Sequence, residues 1–168
     1  DPAPVAIRRG IAAGVTEREV SDVGFCILLS GGLDSSIIAH HVAEHRRGVV
    51  AYTAVGQGSP ADERAAREVA ERFGLELRTV KVPQPSADDL ARVVRAIEMP
   101  HKAQIEIGWA CYHLAQTMRA DGQRVTFSGE GSDELWASYG MSYHGIQKDG
   151  WYGYRRRLFR DQHRKNFA

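Results

Sequence analysis

Two short strings in this 168-residue chain combine glycine with hydroxyl and carboxylate side chains in a pattern suited to phosphate chemistry. The first is Ser30-Gly31-Gly32-Leu33-Asp34-Ser35-Ser36. Its paired glycines let the backbone turn sharply and approach an anion without a Cβ in the way. A helix starting behind them offers unpaired N–H groups and the positive end of its dipole. Ser30, Ser35 and Ser36 add hydroxyl donors for phosphate oxygens, and Asp34 is a hard oxygen ligand for magnesium between phosphates. The string is neither a Walker loop, since it has no lysine in the turn, nor a GxGxxG turn. A bare SGG would equally be a tight strand–helix turn capped by Asp34 and Ser35. Placed after a buried strand and followed by Asp-Ser-Ser, it favours the phosphate reading.

The second string is Ser128-Gly129-Glu130-Gly131-Ser132-Asp133-Glu134. It repeats the arrangement: a strand end, glycines for close backbone approach, and acids. Asp133 is a second candidate magnesium ligand beside Asp34. Glu130 stands at the strand terminus, where a general base could reach an incoming amine. Such a run of carboxylates also describes a solvated acidic loop. Beside a phosphate loop, however, acids need a metal or cation to coexist, which favours function.

The elements on either side of these strings must hold them in place. Residues 23–30 form a short apolar run of the kind buried on both faces of a parallel sheet. Residues 35–45 follow with helical spacing of Ile37, Ile38 and Val42, and Gly48 stops them. A β-branched run covers 49–55. Ser59-Pro60 opens a helix with a cap and an N1 proline, Asp62 and Glu63 suit its positive end, and Gly74 closes it. Residues 75–82 alternate as an edge-side strand. Ser86 caps a helix to about Glu98, Pro100 ends it, and another helix runs through about 104–120. Residues 124–128 are a short strand feeding the second glycine loop. From 151 to 168 the pattern is helical and basic. Strands alternating with helices predict a doubly wound α/β domain with a parallel sheet and helices on both faces. In that architecture ligands bind outside the carboxyl ends of the strands, at a topological switch point.

Composition narrows the class. Lys+Arg number 22 and Asp+Glu 21, for a formal charge of +1, with 43% hydrophobic and 26% charged residues. Disordered, collagen-like and extreme-charge classes are excluded, and nothing global draws the chain to nucleic acid or anionic membrane. Cys26 and Cys111 are the only cysteines, too few for a disulfide framework and without a CxxC pair. Cys26 lies within an apolar run and reads as a buried thiol. No apolar stretch reaches a membrane span, and no signal pattern is present at the start, so the expectation is a cytoplasmic protein.

The first string resembles the pyrophosphate loop of the N-type ATP pyrophosphatases (PP-loop superfamily). The second is similar to the SGEGSDE signature of the asparagine synthetase family. Ser21-Asp22-Val23, Ala54-Val55-Gly56 and Gly58-Ser59-Pro60 continue the likeness, which spans about residues 6–168. The resemblance implies an adenine nucleotide alpha hydrolase-like fold over 1–150, with a basic helical extension beginning at 151–168. It implies ATP-dependent amide synthesis with magnesium: a carboxylate is activated as an acyl-adenylate, pyrophosphate leaves, and ammonia displaces AMP. By position, Ser30, Gly31, Gly32, Asp34, Ser35 and Ser36 would hold pyrophosphate. Asp34 and Asp133 would hold magnesium, Leu28, Val55 and Gly129 would line adenosine, and Glu130 would be the base for ammonia. β-Lactam-forming relatives lack the Glu130 equivalent, which favours ammonia over an intramolecular amine.

Departures from the family pattern shape the remaining expectations. No stretch of these 168 residues resembles the family's glutaminase domain, so ammonia is expected from solution, from a separate glutaminase domain or subunit, or from a segment outside this sequence. The family's lysine-bearing helix would begin just after residue 168, so the C-terminal wall of the site is expected either to be cut short in this sequence or to be completed by a partner chain or a homo-oligomer. Lys148, Arg157 and Lys165 are the cations that could stand in for that lysine. Trp136-Ala137-Ser138-Tyr139 replaces the usual Phe-Gly-Gly-Tyr, and Glu106 stands where a basic residue is usual. Two other readings stay open: a different adenylating enzyme acting on a peptide, natural product or RNA, or a non-catalytic nucleotide-binding subunit. His40, His41 and His45 are read as a solvated helix face rather than a metal cluster. Arg155-Arg156-Arg157-Leu158-Phe159-Arg160 is read as a helix face for a partner segment, with no nucleic acid expected. Trp109, Tyr112 and Leu114 are read as core.

Overall fold

The computed structural model describes residues 2–56, 60–136, 148–150, 152, 153, 156 and 160. The elements run α1 (Pro2–Arg18), β1 (Phe25–Leu28), α2 (Leu33–His45), β2 (Val50–Val55), α3 (Pro60–Phe73), β3 (Glu76–Lys81), α4 (Ala87–Ile97), α5 (Lys102–Ala120), β4 (Val125–Phe127) and α6 (Ser132–Trp136). Contacts divide the chain into two units, Asp1–Gly129 and Glu130–Ala168, a boundary that falls inside the second glycine string.

In the first unit the strands form one parallel sheet in the order β3-β2-β1-β4. Strand β1 is central and apolar on both faces because both faces are covered. Ile27 and Leu29 point into a cluster with Val15 of α1, Ala39 and Val42 of α2, and Ala66 and Ala70 of α3. Cys26 and Leu28, one residue out of phase, point to the other cluster, with Leu114 and Met118 of α5. Helix α4 packs against α5. A right-handed crossover rule accounts for this split. The chain moves outward from β1 to β3 through α2 and α3 on one face, then returns past β1 to β4 through α5 on the other.

Among the described residues, the strands and helices expected from 23 to 128 are present, and the helix boundaries follow their chemistry. Helix α4 opens on a full capping box, with the Ser86 side chain accepting from Asp89 N and Asp89 reaching back to Ser86 N. It ends at Glu98 in the left-handed region (φ 55), just ahead of Pro100. Strand β3 is an edge strand, as its alternation predicts, and Cys26 is fully buried. Burial pushes the Cys26 thiol up, so it stays protonated. Trp109 and Leu114 are core residues, and Trp109 Nε1 donates to the Pro83 carbonyl at 2.7 Å.

Helix α1 has no counterpart in the sequence reading, which placed its first element at residue 23. Its sparse apolar positions, Ile11 and Val15 among alanines and glycines, gain meaning only once packed against the α2 side of the core. Ser59, the stretch Ala137-Ser138-Tyr139, Arg157 and Lys165 lie outside the described residues. In the second unit, Leu135 N donates to the Gly131 carbonyl at the start of α6, and the described residues from 148 to 160 are helical.

Candidate functional site

Strand β1 delivers the first string to the carboxyl edge of the sheet. The chain turns there through Ser30-Gly31-Gly32 and enters α2, whose N-cap is Gly32. No side chain caps this end, so by helix geometry the first N–H groups have no intrahelical acceptor and point outward. The serines brace the turn from within. Ser30 N donates to Ser35 Oγ at 3.3 Å, and the two hydroxyl oxygens are 3.0 Å apart. Gly32 N donates to Ser30 Oγ at 3.3 Å. The hydroxyls of Ser35 and Ser36 donate to the Gly32 carbonyl at 3.2 and 2.7 Å. Ser35 is buried and Asp34 half-buried. An anion held by these hydroxyls would therefore exchange with bonds that now hold the loop to itself.

Gly31 has φ +80, and a Cβ built there would lie 2.5 Å from the backbone of Ala65 and Ala66 in α3. The glycine is thus demanded by the helix beneath the loop as well as by the turn. Sequence reasoning missed this support, because nothing in the string announces a helix passing under it.

Strand β4 ends beside this turn. A Cβ on Gly129 would meet Ser35 N at 2.9 Å and Asp34 Cβ at 3.0 Å, so glycine is what lets the two strings touch at the head of α2. Since β4 pairs with β1 on the side away from β2, the direction of winding reverses between these two strands. Both glycine strings leave from the carboxyl ends at that switch point, where open α/β sheets bind ligands. Leu28, the last residue of β1, is half-buried among the α5-side cluster, and Val55, the last of β2, is also half-buried. Glu130, exposed, and Asp133, half-buried in α6, belong to the second unit.

One reading from sequence needs correction. His41 does not lie on a solvated face: it is buried, and its Nδ1 is 3.3 Å from Glu44 Oε2. The ring of His45 is instead tied to the His41 carbonyl, with Nδ1 2.9 Å from that oxygen. The acid Glu44, which the sequence reading passed over, is the third member of the group.

Comparison with known proteins bears on this geometry. The family model for asparagine synthase matches residues 6–168. The chain belongs to the asparagine synthase family. It is 33% identical over 147 residues to asparagine synthetase [glutamine-hydrolyzing] 1 of Arabidopsis thaliana, covering 81% of this chain and 25% of that protein. The asparagine synthetase [glutamine-hydrolyzing] of Asparagus officinalis matches with the same identity and coverage (33%, 81% and 25%). The chain therefore spans about a quarter of the length of these curated relatives. NMN synthetase from Francisella tularensis superposes with a TM-score of 0.52 at 18% identity, over 83% of this chain and 58% of that one. At that identity the likeness concerns the fold, an α/β sandwich of the adenine nucleotide alpha hydrolase type. Among the described residues, no helix is long and apolar enough to cross a membrane.

Proposed function

We propose that this family member serves ATP-dependent amide synthesis, activating a carboxylate as an acyl-adenylate that ammonia then converts to an amide. The observation that carries the proposal is the contact of Gly129 with the first turn of α2, which sets the start of the second glycine string beside the first at the switch point of the sheet. Backbone N–H groups at such an end, freed from side-chain capping, suit a polyphosphate. In the first half-reaction a carboxylate oxygen attacks the α-phosphorus of ATP, the bond to the β-phosphate oxygen breaks, and pyrophosphate leaves. In the second, ammonia attacks the acyl carbon, loses a proton, and AMP departs with the bonding pair.

The residues divide the work. Gly31 and Gly32 admit the pyrophosphate, while Ser30, Ser35 and Ser36 trade their internal bonds for its oxygens. Asp34 beside that cradle offers the hard oxygen donor magnesium prefers, and Asp133 is the proposed second carboxylate. The ion would neutralise charge on the departing pyrophosphate. Leu28, Val55 and Gly129 are assigned to adenosine, and Glu130 to the proton released by ammonia. Ammonia from a separate glutaminase domain or subunit, and a partner segment completing the site wall, belong to the same proposal. So does a cytoplasmic setting.

The test is pyrophosphate release from ATP with magnesium, ammonia and a panel of carboxylates. Release that depends on one carboxylate and is lost in Asp34→Ala supports the proposal. ATP binding without turnover under all conditions would instead indicate a nucleotide-binding subunit. Release driven by an RNA or a peptide, with small carboxylates inert, would indicate a different adenylating enzyme.

A further inference from the structure

Helix α2 carries a second group of donors, well past the turn where it begins. His40 Nε2 lies 3.5 Å from Glu44 Oε1, and His41 Nδ1 lies 3.3 Å from Glu44 Oε2. One donor atom from each of the three residues falls within 4.8 Å of the others. We propose that His40, His41 and Glu44 form a binding site for a zinc-like divalent transition-metal ion, distinct from the magnesium chemistry assigned to Asp34.

The spacing brings the donors together, since residues three and four apart share a helix face. The donor set gives the selectivity: two imidazole nitrogens and a carboxylate suit zinc, copper or nickel, whereas magnesium takes oxygen ligands. The surroundings favour a formed site. His41 is buried and held in place by packing. The His40 ring lies against Phe73 of α3, with centroids 5.3 Å apart, which walls one side with apolar surface. The Glu44 carboxylate approaches both imidazoles, one through each oxygen, so a nitrogen of each ring already lies on the same carboxyl group. Binding replaces those contacts of 3.3 and 3.5 Å with metal–ligand bonds of about 2.0–2.2 Å. The side chains of His40 and Glu44, 46% and 48% exposed, have room for the small inward movement. Three protein ligands leave a coordination position for water. His45, whose Nδ1 is engaged by the His41 carbonyl, is not a member.

Titration of the chelator-stripped full chain with zinc, in excess magnesium and followed by calorimetry, tests the site. The expected result is one equivalent of saturable zinc binding that magnesium does not displace. His40→Ala and Glu44→Gln should each weaken it about tenfold or more, and His45→Ala should bind as the parent does. Far-UV circular dichroism confirms that the variants remain folded. Cobalt(II) loading of the parent gives an independent reading, expected to show nitrogen and oxygen coordination without thiolate charge-transfer bands. Absence of saturable binding, parental affinity in both ligand variants, or a thiolate signature from exposed Cys111 would each overturn the proposal.

Discussion

Gly31 carries two constraints that separate experimentally. Its φ of +80 penalises any side chain, and a Cβ there would also meet the α3 backbone at 2.5 Å. Gly48 shares the first constraint, with φ +74, but a Cβ there finds open space. Gly48→Ala should therefore cost only the left-handed penalty of about 1–2 kcal/mol. Gly31→Ala should cost about 3 kcal/mol or more, because backbone must also shift. Urea denaturation midpoints of the two variants measure the difference, and near-equal losses would remove the α3 contact from the account. The turn role of Gly31 was legible in the string; its packing role was not, since Ala65 and Ala66 lie far along the chain. The same holds for Glu44, which becomes notable only when side-chain directions along α2 are known.

At the scale of elements, local chemistry wrote most boundaries. The Ser86 cap, the N1 position of Pro60 and the glycine stop at Gly74 all act within a few residues, so sequence alone exposes them. Ser86→Ala removes the side chain that accepts from Asp89 N at 3.2 Å and should destabilise α4 by about 1 kcal/mol. Hydrogen exchange should show that loss concentrated in residues 87–97 rather than spread over the sheet. Asp89 supplies a further sign of the cap: hydrogen bonds from Ser86 hold its carboxyl below the usual range. Helix α1 escaped because its reason for being helical is remote. Val15, 4% exposed, finds its partners on α2 and β1. Deleting residues 1–18 should uncover this part of the core, lowering the denaturant midpoint and raising binding of a hydrophobic dye. An unchanged midpoint would mean that α1 contributes nothing to the core.

At the scale of the molecule, a polar network within the first unit joins β2, β3 and the end of α5. The Tyr52 hydroxyl donates to Asp121 Oδ2 at 2.7 Å, and Arg78 approaches the same oxygen at 2.6 Å. The Tyr52 bond, then Arg78, holds the Asp121 carboxyl below its ordinary value of 3.8. Burial first, then Asp121, pushes Tyr52 from 10.0 up to about 12. Because the folded Asp121 is the stronger acid, its contribution is present above pH 3.8 and is lost as pH falls through the lowered value. Tyr52 behaves oppositely: its contribution is complete below pH 10 and fades as pH rises toward about 12. Tyr52→Phe should therefore lower the thermal midpoint most between these limits, with the gap to the parent closing in acid. A gap that persists unchanged to pH 2 would detach the effect from Asp121.

The sequence by itself determined the alternation of strands and helices, the two glycine strings with their acids, and a family resemblance that the family model supports. These features are local, or repeat with the period of a strand or helix, so neighbouring residues suffice to reveal them. Tertiary structure alone decided the strand order β3-β2-β1-β4. That order makes β1 and β4 neighbours and places Gly129 against the head of α2. Pairing across the sheet depends on which faces can be buried together, a property of the folded chain as a whole rather than of any short segment.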